Sequence, residues 1–276
     1  MKRHWPAMGF GFAFTLVMIF ISMAFRPDWN RASVRMEIGQ RFSASGDYDR
    51  AIETFDTVLQ EIPRHAIALH LRGLAHDRLG ETKQAIDDYN RAIDLDPRFF
   101  DAINDRGILL TKVGRWEEGI GDFRRLVALD PNSTSARVNY AFALQKAGRL
   151  DDAVACLEVI PEDQRDETVH YLIACIAMAQ ADWSPAELAF SSAVEITADD
   201  MKIWLNRAIV RWRLGRFAEA IADLDRAAAL DDEWMLPATI AELRKRIEES
   251  QGPSGAIEAT ADIGRPKIEM AREGNN

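Results

Sequence analysis

The chain has 276 residues, 47% of them hydrophobic, enough for a continuous core, and a formal net charge of -10 at neutral pH. An acidic surface repels phosphate backbones and no local basic face is legible, which argues against nucleic acid as a ligand. Two cysteines, Cys156 and Cys175, are too few for a disulfide framework or a cysteine-rich metal site. His65, His70 and His76 stand 5 and 6 residues apart, on different faces of a helix, so no metal site and no cofactor are expected.

Residues 1–26 come first. Lys2 and Arg3 precede an uncharged run from Trp5 to Phe25 whose centre is almost wholly apolar. At about 1.5 Å per residue, such a run spans roughly 30 Å of hydrocarbon. One reading is an uncleaved signal anchor or transmembrane helix, with Trp5 and Trp29 at the two interfaces. The other is a cleaved secretory signal, with Ser22-Met23-Ala24 as a small-x-small site. The length of the run favours the anchor. The basic residues on its two sides leave orientation open, because Arg26, Arg31 and Arg35 follow it. The short basic start resembles a bacterial export signal. The expectation is a single pass through the inner (cell) membrane with the remainder periplasmic, or release to the periplasm after cleavage near Ala24.

The next two hundred residues repeat. From Ala68 the chain reads ALHLRGLAHDRLGETKQAIDDYNRAIDLDP; from Ala102, 34 residues on, it reads AINDRGILLTKVGRWEEGIGDFRRLVALDP. The Arg-Gly pair, the glycine turn, the acidic-aromatic pair and the closing Leu-Asp-Pro recur in register. Six copies align, at 32–65, 66–99, 100–133, 134–166, 167–200 and 201–234. Repeat position 8 is small throughout: Gly39, Gly73, Gly107, Ala141, Ala174 and Ala208. Position 15, the predicted turn, is Gly46, Gly80, Gly114, Gly148, Ala181 and Gly215. Position 24 is Phe55, Tyr89, Phe123, Leu157, Phe190 and Leu224, a column of core plugs. The fourth unit is one residue short, and a changed loop is expected around Pro161-Glu162-Asp163-Gln164.

A fixed 34-residue period of two short amphipathic helices resembles the tetratricopeptide repeat. The resemblance implies an all-α, right-handed superhelical solenoid of helix-turn-helix units. In this chain it is preceded by one hydrophobic helix. It is strongest in the first, second, third and sixth units.

Comparison between the units shows a paired substitution. Position 7 is arginine in three of them (Arg72, Arg106, Arg207), and position 23 is aspartate in the same three (Asp88, Asp122, Asp223). The other units carry neither. Charges that appear and vanish together predict a partly buried ion pair between the two helices of each such unit.

Residues 235–250 read as an amphipathic helix with a stripe of Ile240, Leu243 and Ile247, suited to cap the open end of an array. Residues 251–276 hold two prolines, four glycines and no aromatic, the composition of a disordered tail.

The resemblance also implies that first helices line a concave face, through positions 2, 5, 9, 12 and 13 with 6 nearby. The first three units offer polar groups there, including Asp77, Asp101, Asn104 and Lys112. The last three offer an apolar trough. The predicted partner-binding residues are Asn139, Phe142, Tyr171, Met178, Asn206, Ile209 and Trp212, the apolar ones taking side chains of a peptide and the two amides bonding its backbone. The same apolar residues could equally pack between neighbouring helices. The family's carboxylate clamp needs Lys at position 5 with Asn at position 9, and no unit has that pair. No Gly-rich phosphate loop, nucleophile elbow or metal cluster is present, so the expected role is non-enzymatic. It is that of a membrane-tethered adaptor that binds a protein or peptide segment. An accessory subunit of an envelope enzyme or assembly machine, and a homo-oligomer, are the alternatives.

Overall fold

The computed structural model describes residues 29–230 and 237–250. Every described element is helical. The apolar run 5–25, the 234/235 boundary and the tail 251–276 lie outside the described residues. Among the described residues, no helix is long and apolar enough to cross a membrane. The chain divides into two compact units, residues 1–139 and 140–276.

The first unit contains α1 (Trp29–Ala44), α2 (Tyr48–Glu61), α3 (Ala66–Arg78), α4 (Thr82–Leu95), α5 (Phe100–Lys112) and α6 (Trp116–Leu129). They pair as three hairpins. Each hairpin turns through a glycine with φ near +80° (Gly46, Gly80, Gly114), a left-handed conformation that costs a residue with a Cβ. Packing then closes on the small residues. A Cβ at Gly73 would lie 2.8 Å from Tyr89 Cε1, so the α3 backbone touches the aromatic ring that α4 inserts. Phe55, Tyr89 and Phe123 are the largest wholly buried side chains of this unit.

Helix α7 (Thr134–Lys146) runs across the division at residue 139. The second unit continues with α8 (Leu150–Glu158), a 3-10 turn (Glu162–Gln164), α9 (Glu167–Ala179), α10 (Trp183–Ile196), α11 (Met201–Arg213), α12 (Phe217–Ala229) and α13 (Pro237–Ser250). Helix α8 has only nine residues, and Pro161 follows it. The loop that replaces its last turn is held by Arg165, whose Nε donates to Ile160 O at 2.9 Å. At the α9–α10 turn the left-handed position is Ala181, with φ 59°, the one non-glycine positive φ among the described residues. The core of this unit is Phe190 with Ala174, Ala186 and Ala193, then Leu224 with Ala208 and Ala220. Helix α13 closes it by burying Ile240 and Ile247 on α11 and α12.

Candidate partner-binding faces

The predicted groove residues separate into three situations. In the second unit Phe142, Tyr171, Met178, Asn206 and Ile209 are half-buried. Tyr171 packs edge-on against Phe190, ring centroids 5.7 Å apart, and its hydroxyl accepts a hydrogen bond from Asn206 Nδ2 at 2.9 Å. Burial pushes the Tyr171 phenol above its ordinary pKa. Met178 leans on the core around Phe190, and the Lys146 ammonium stands 4.9 Å above the Phe142 ring. This set is apolar with a polar edge, and it keeps enough exposed surface to take a side chain from outside.

Trp212 is different, and its place in the trough is corrected. It is 6% exposed and lies in the core formed by Ala208, Ala220, Leu224, Ile240 and Ile247. Its Nε1 donates to Ser250 Oγ at 3.1 Å, on the helix that covers it. A large ring at the end of an array is the natural floor for a capping helix, so α13 takes the surface that a ligand would need. Leu172 and Cys175, which hold positions 6 and 9 of the fifth repeat, are likewise buried in packing.

Asn139 belongs to the first unit. Its Nδ2 donates to Asn104 Oδ1 at 2.9 Å. That bond is one of a series. His70 Nε2 lies 2.6 Å from Asp105 Oδ2, and Lys112 Nζ lies 3.4 Å from Asp77 Oδ1. With Asn206 and Tyr171, all four pairs are 35 residues apart, and three of them join position 5 of one repeat to position 6 of the next. They are rungs between successive first helices. The two asparagines therefore already spend part of their hydrogen-bonding capacity inside the protein. Sequence reasoning missed His70, Asp105 and the rungs, although polar residues matched at a spacing of 35 were the available signal.

The three Arg–Asp pairs form as expected, each bidentate: Arg72 with Asp88, Arg106 with Asp122 and Arg207 with Asp223. In the second unit they extend into a network, for Arg211 Nη1 also donates to Asp223 at 2.9 Å and Arg211 Nε to Glu187 at 3.0 Å. Cys156 and Cys175 are not joined by a disulfide. Burial pushes the Cys175 thiol up to about 12, which removes it as a nucleophile. Among the described residues, no group of three or more His, Cys, Asp or Glu side chains could hold a metal ion.

Paired helices, left-handed turns at a fixed spacing and small residues at each crossing define the repeat. Two family profiles, each described as tetratricopeptide repeat, match residues 36–98 with 171–233 and residues 110–176. The chain belongs to the tetratricopeptide repeat family. Solved structures agree at the level of fold. A tetratricopeptide repeat protein from Parabacteroides merdae superposes with a TM-score of 0.59 at 19% identity, covering 79% of this chain and 84% of its own. PilW, described as a widely conserved type IV pilus biogenesis factor, gives 0.58 at 18% identity, over 79% of this chain and 98% of its own. The C-terminal part of a tetratricopeptide repeat protein from Cytophaga hutchinsonii gives 0.60 at 14% identity, over 71% and 79%. No curated protein sequence is similar enough to count as a relative. A tetratricopeptide repeat array of this kind is a protein–protein interaction scaffold.

Proposed function

We propose that this tetratricopeptide repeat chain is a non-enzymatic adaptor. Residues 5–25 tether it to the inner (cell) membrane, and its repeats lie outside the cytoplasm. The inner faces of its first helices hold an extended or helical protein segment. The observation that carries the binding site is the half-buried apolar set of the second unit, Phe142, Tyr171, Met178 and Ile209. Groups that only pack between helices become fully buried, as Leu172 and Cys175 do. These four keep a face open, and aromatic residues of that kind anchor ligands.

Two measurements test the reading. Fractionation of cells expressing the full chain should leave it in the alkali-washed membrane pellet, with deletion of residues 1–26 moving it to the soluble fraction. Recovery of the full chain in the soluble fraction, with a new N-terminus close to Ala24, would replace the tether by a cleaved signal. Separately, Met178→Glu and Ile209→Asp should remove the co-purifying partner without lowering the melting temperature by more than a few degrees. Retention of the partner by both variants would move the site elsewhere.

A further inference from the structure

The first unit places polar groups where its repeat otherwise keeps apolar ones. Position 24 is phenylalanine or leucine in five units and Tyr89 in the second. Tyr89 is wholly buried, and its hydroxyl has no hydrogen-bond partner among the described residues. A buried hydroxyl without a partner costs stability. Phe55 and Phe123 plug the adjacent hairpins without one, so the fold does not require it. Breaches of a local rule that the fold does not need concentrate at functional sites.

The surroundings of that hydroxyl have a definite chemistry. The Tyr89 ring lies against Gly73 of α3. His70 and Asp77 flank Gly73 on α3, and each forms a rung to α5, to Asp105 and to Lys112. The Tyr89 ring stands 5.9 Å from the His70 ring, beside the first of these rungs. Burial and the charges of Asp105 and Asp77 all push its phenol above the ordinary pKa, which places the hydroxyl in the field of both carboxylates. One helical turn before Asp105 stands Asp101, exposed on the same face of α5. One turn before His70 stands Ile67, a large apolar side chain left 52% exposed on α3. The seam thus presents an open apolar surface and two carboxylates at i and i+4, with a buried hydroxyl of unused capacity behind it.

We propose that the seam between α3 and α5 receives a basic side chain of a partner segment, with its alkyl stem on Ile67, its cationic head between Asp101 and Asp105, and the Tyr89 hydroxyl as the hydrogen-bonding floor. Lysine and arginine both combine an apolar stem with a donor-rich head, which is the complement of this surface. Lys112 is engaged by Asp77 and Asp101 is exposed, while Asp105, which pairs with His70 and accepts from Asn104 Nδ2 at 3.4 Å, shares its carboxylate with the ligand. His70 holds Asp105 in place. The site lies wholly in the first unit and is independent of the apolar set around Tyr171.

The test uses the full chain and a fluorescent, short alanine-based peptide carrying two lysines, beside the same peptide with both lysines acetylated. The lysine peptide should bind about tenfold tighter than its neutral twin, and added salt should erase the difference. Asp101→Asn, at an exposed position, should weaken the lysine peptide several-fold with the melting temperature unchanged. Asp105→Asn retains a hydrogen-bonding side chain for His70 and should do the same. Tyr89→Phe should raise the melting temperature and still weaken binding, a split that a purely structural hydroxyl cannot produce. Equal affinity for the two peptides, absence of binding by both at millimolar concentration, or parental affinity in Asp101→Asn and Tyr89→Phe would each overturn the proposal.

Discussion

The guanidinium of Arg72 grips Asp88 through two hydrogen bonds, 2.7 Å from Nε and 2.6 Å from Nη2. Its remaining Nη1 turns the other way, to Asp56 of the preceding hairpin. Asp88 lies sixteen residues ahead and Asp56 sixteen behind. Arg106 repeats the arrangement with Asp122 and Asn90, and Arg207 with Asp223 and Ser191. One side chain thereby ties its own hairpin shut and fixes it to the one before. Only a planar five-donor fork can serve both directions, so lysine is no substitute.

Removing one partner strands the other. Asp122 is buried and Arg106 largely so. Asp122→Ala should therefore lower stability in urea unfolding by about 3 kcal/mol, whereas the double change Arg106→Met with Asp122→Leu should come close to the parent. An Asp122→Ala protein as stable as the parent would refute the pair's role.

Ala181 occupies a left-handed turn that its counterparts fill with glycine. Ala181→Gly relieves roughly 1 kcal/mol of backbone strain and returns part of it as extra unfolded-chain entropy. A net stabilisation of about 0.5 kcal/mol is expected in the unfolding midpoint. Destabilisation would show that the Ala181 side chain packs favourably there.

Trp212 is a structural residue beneath α13. Trp212→Ala should cost about 3–5 kcal/mol, as for other buried large aromatics, and should expose amides of 237–250 to fast hydrogen exchange. Full stability in this variant would mean that α13 does not depend on the ring.

His65 caps α3 by accepting a hydrogen bond from the Ala68 N–H at 3.1 Å, a role that only the neutral ring can fill. Burial lowers its pKa below the ordinary histidine value. The unfolded chain thus takes up the proton first on acidification. The cap's contribution is complete above about pH 6.5 and is lost as pH falls from there through the folded pKa, by about 1 kcal/mol, the usual worth of an N-cap. His65→Asn keeps an acceptor without the titration. It should flatten stability between pH 7 and 5, and an unchanged slope would contradict this account.

The repeat pattern was legible because it rests on short-range constraints. A left-handed turn, filled by glycine in five units and Ala181 in the other, a small residue at a helix crossing and a large aromatic or leucine plug each occupy a fixed position in every unit. The Arg–Asp pairs were legible because both partners lie in one hairpin and change together. The second reach of each arginine, to Asp56, Asn90 and Ser191, was not, because those acceptors share no single residue type. The site was read less well. Position in the repeat placed Tyr171, Met178 and Ile209 on a half-open face, but it could not distinguish Trp212 from them. Trp212 holds a lining position, and only the covering helix α13 turns it into core. His70 and Asp105 were passed over because each looks unremarkable alone; their meaning lies in a contact 35 residues apart.

The central claim is that the inner face of the array holds a partner segment. A photo-crosslinking amino acid at Tyr171, in cells and in the full chain, tests it most directly when set beside the same probe at Leu188, which is 72% exposed on α10. The account predicts one protein captured from position 171, absent from position 188 and lost when Ile209→Asp is added. The same capture from both positions, or capture that survives Ile209→Asp, would contradict it.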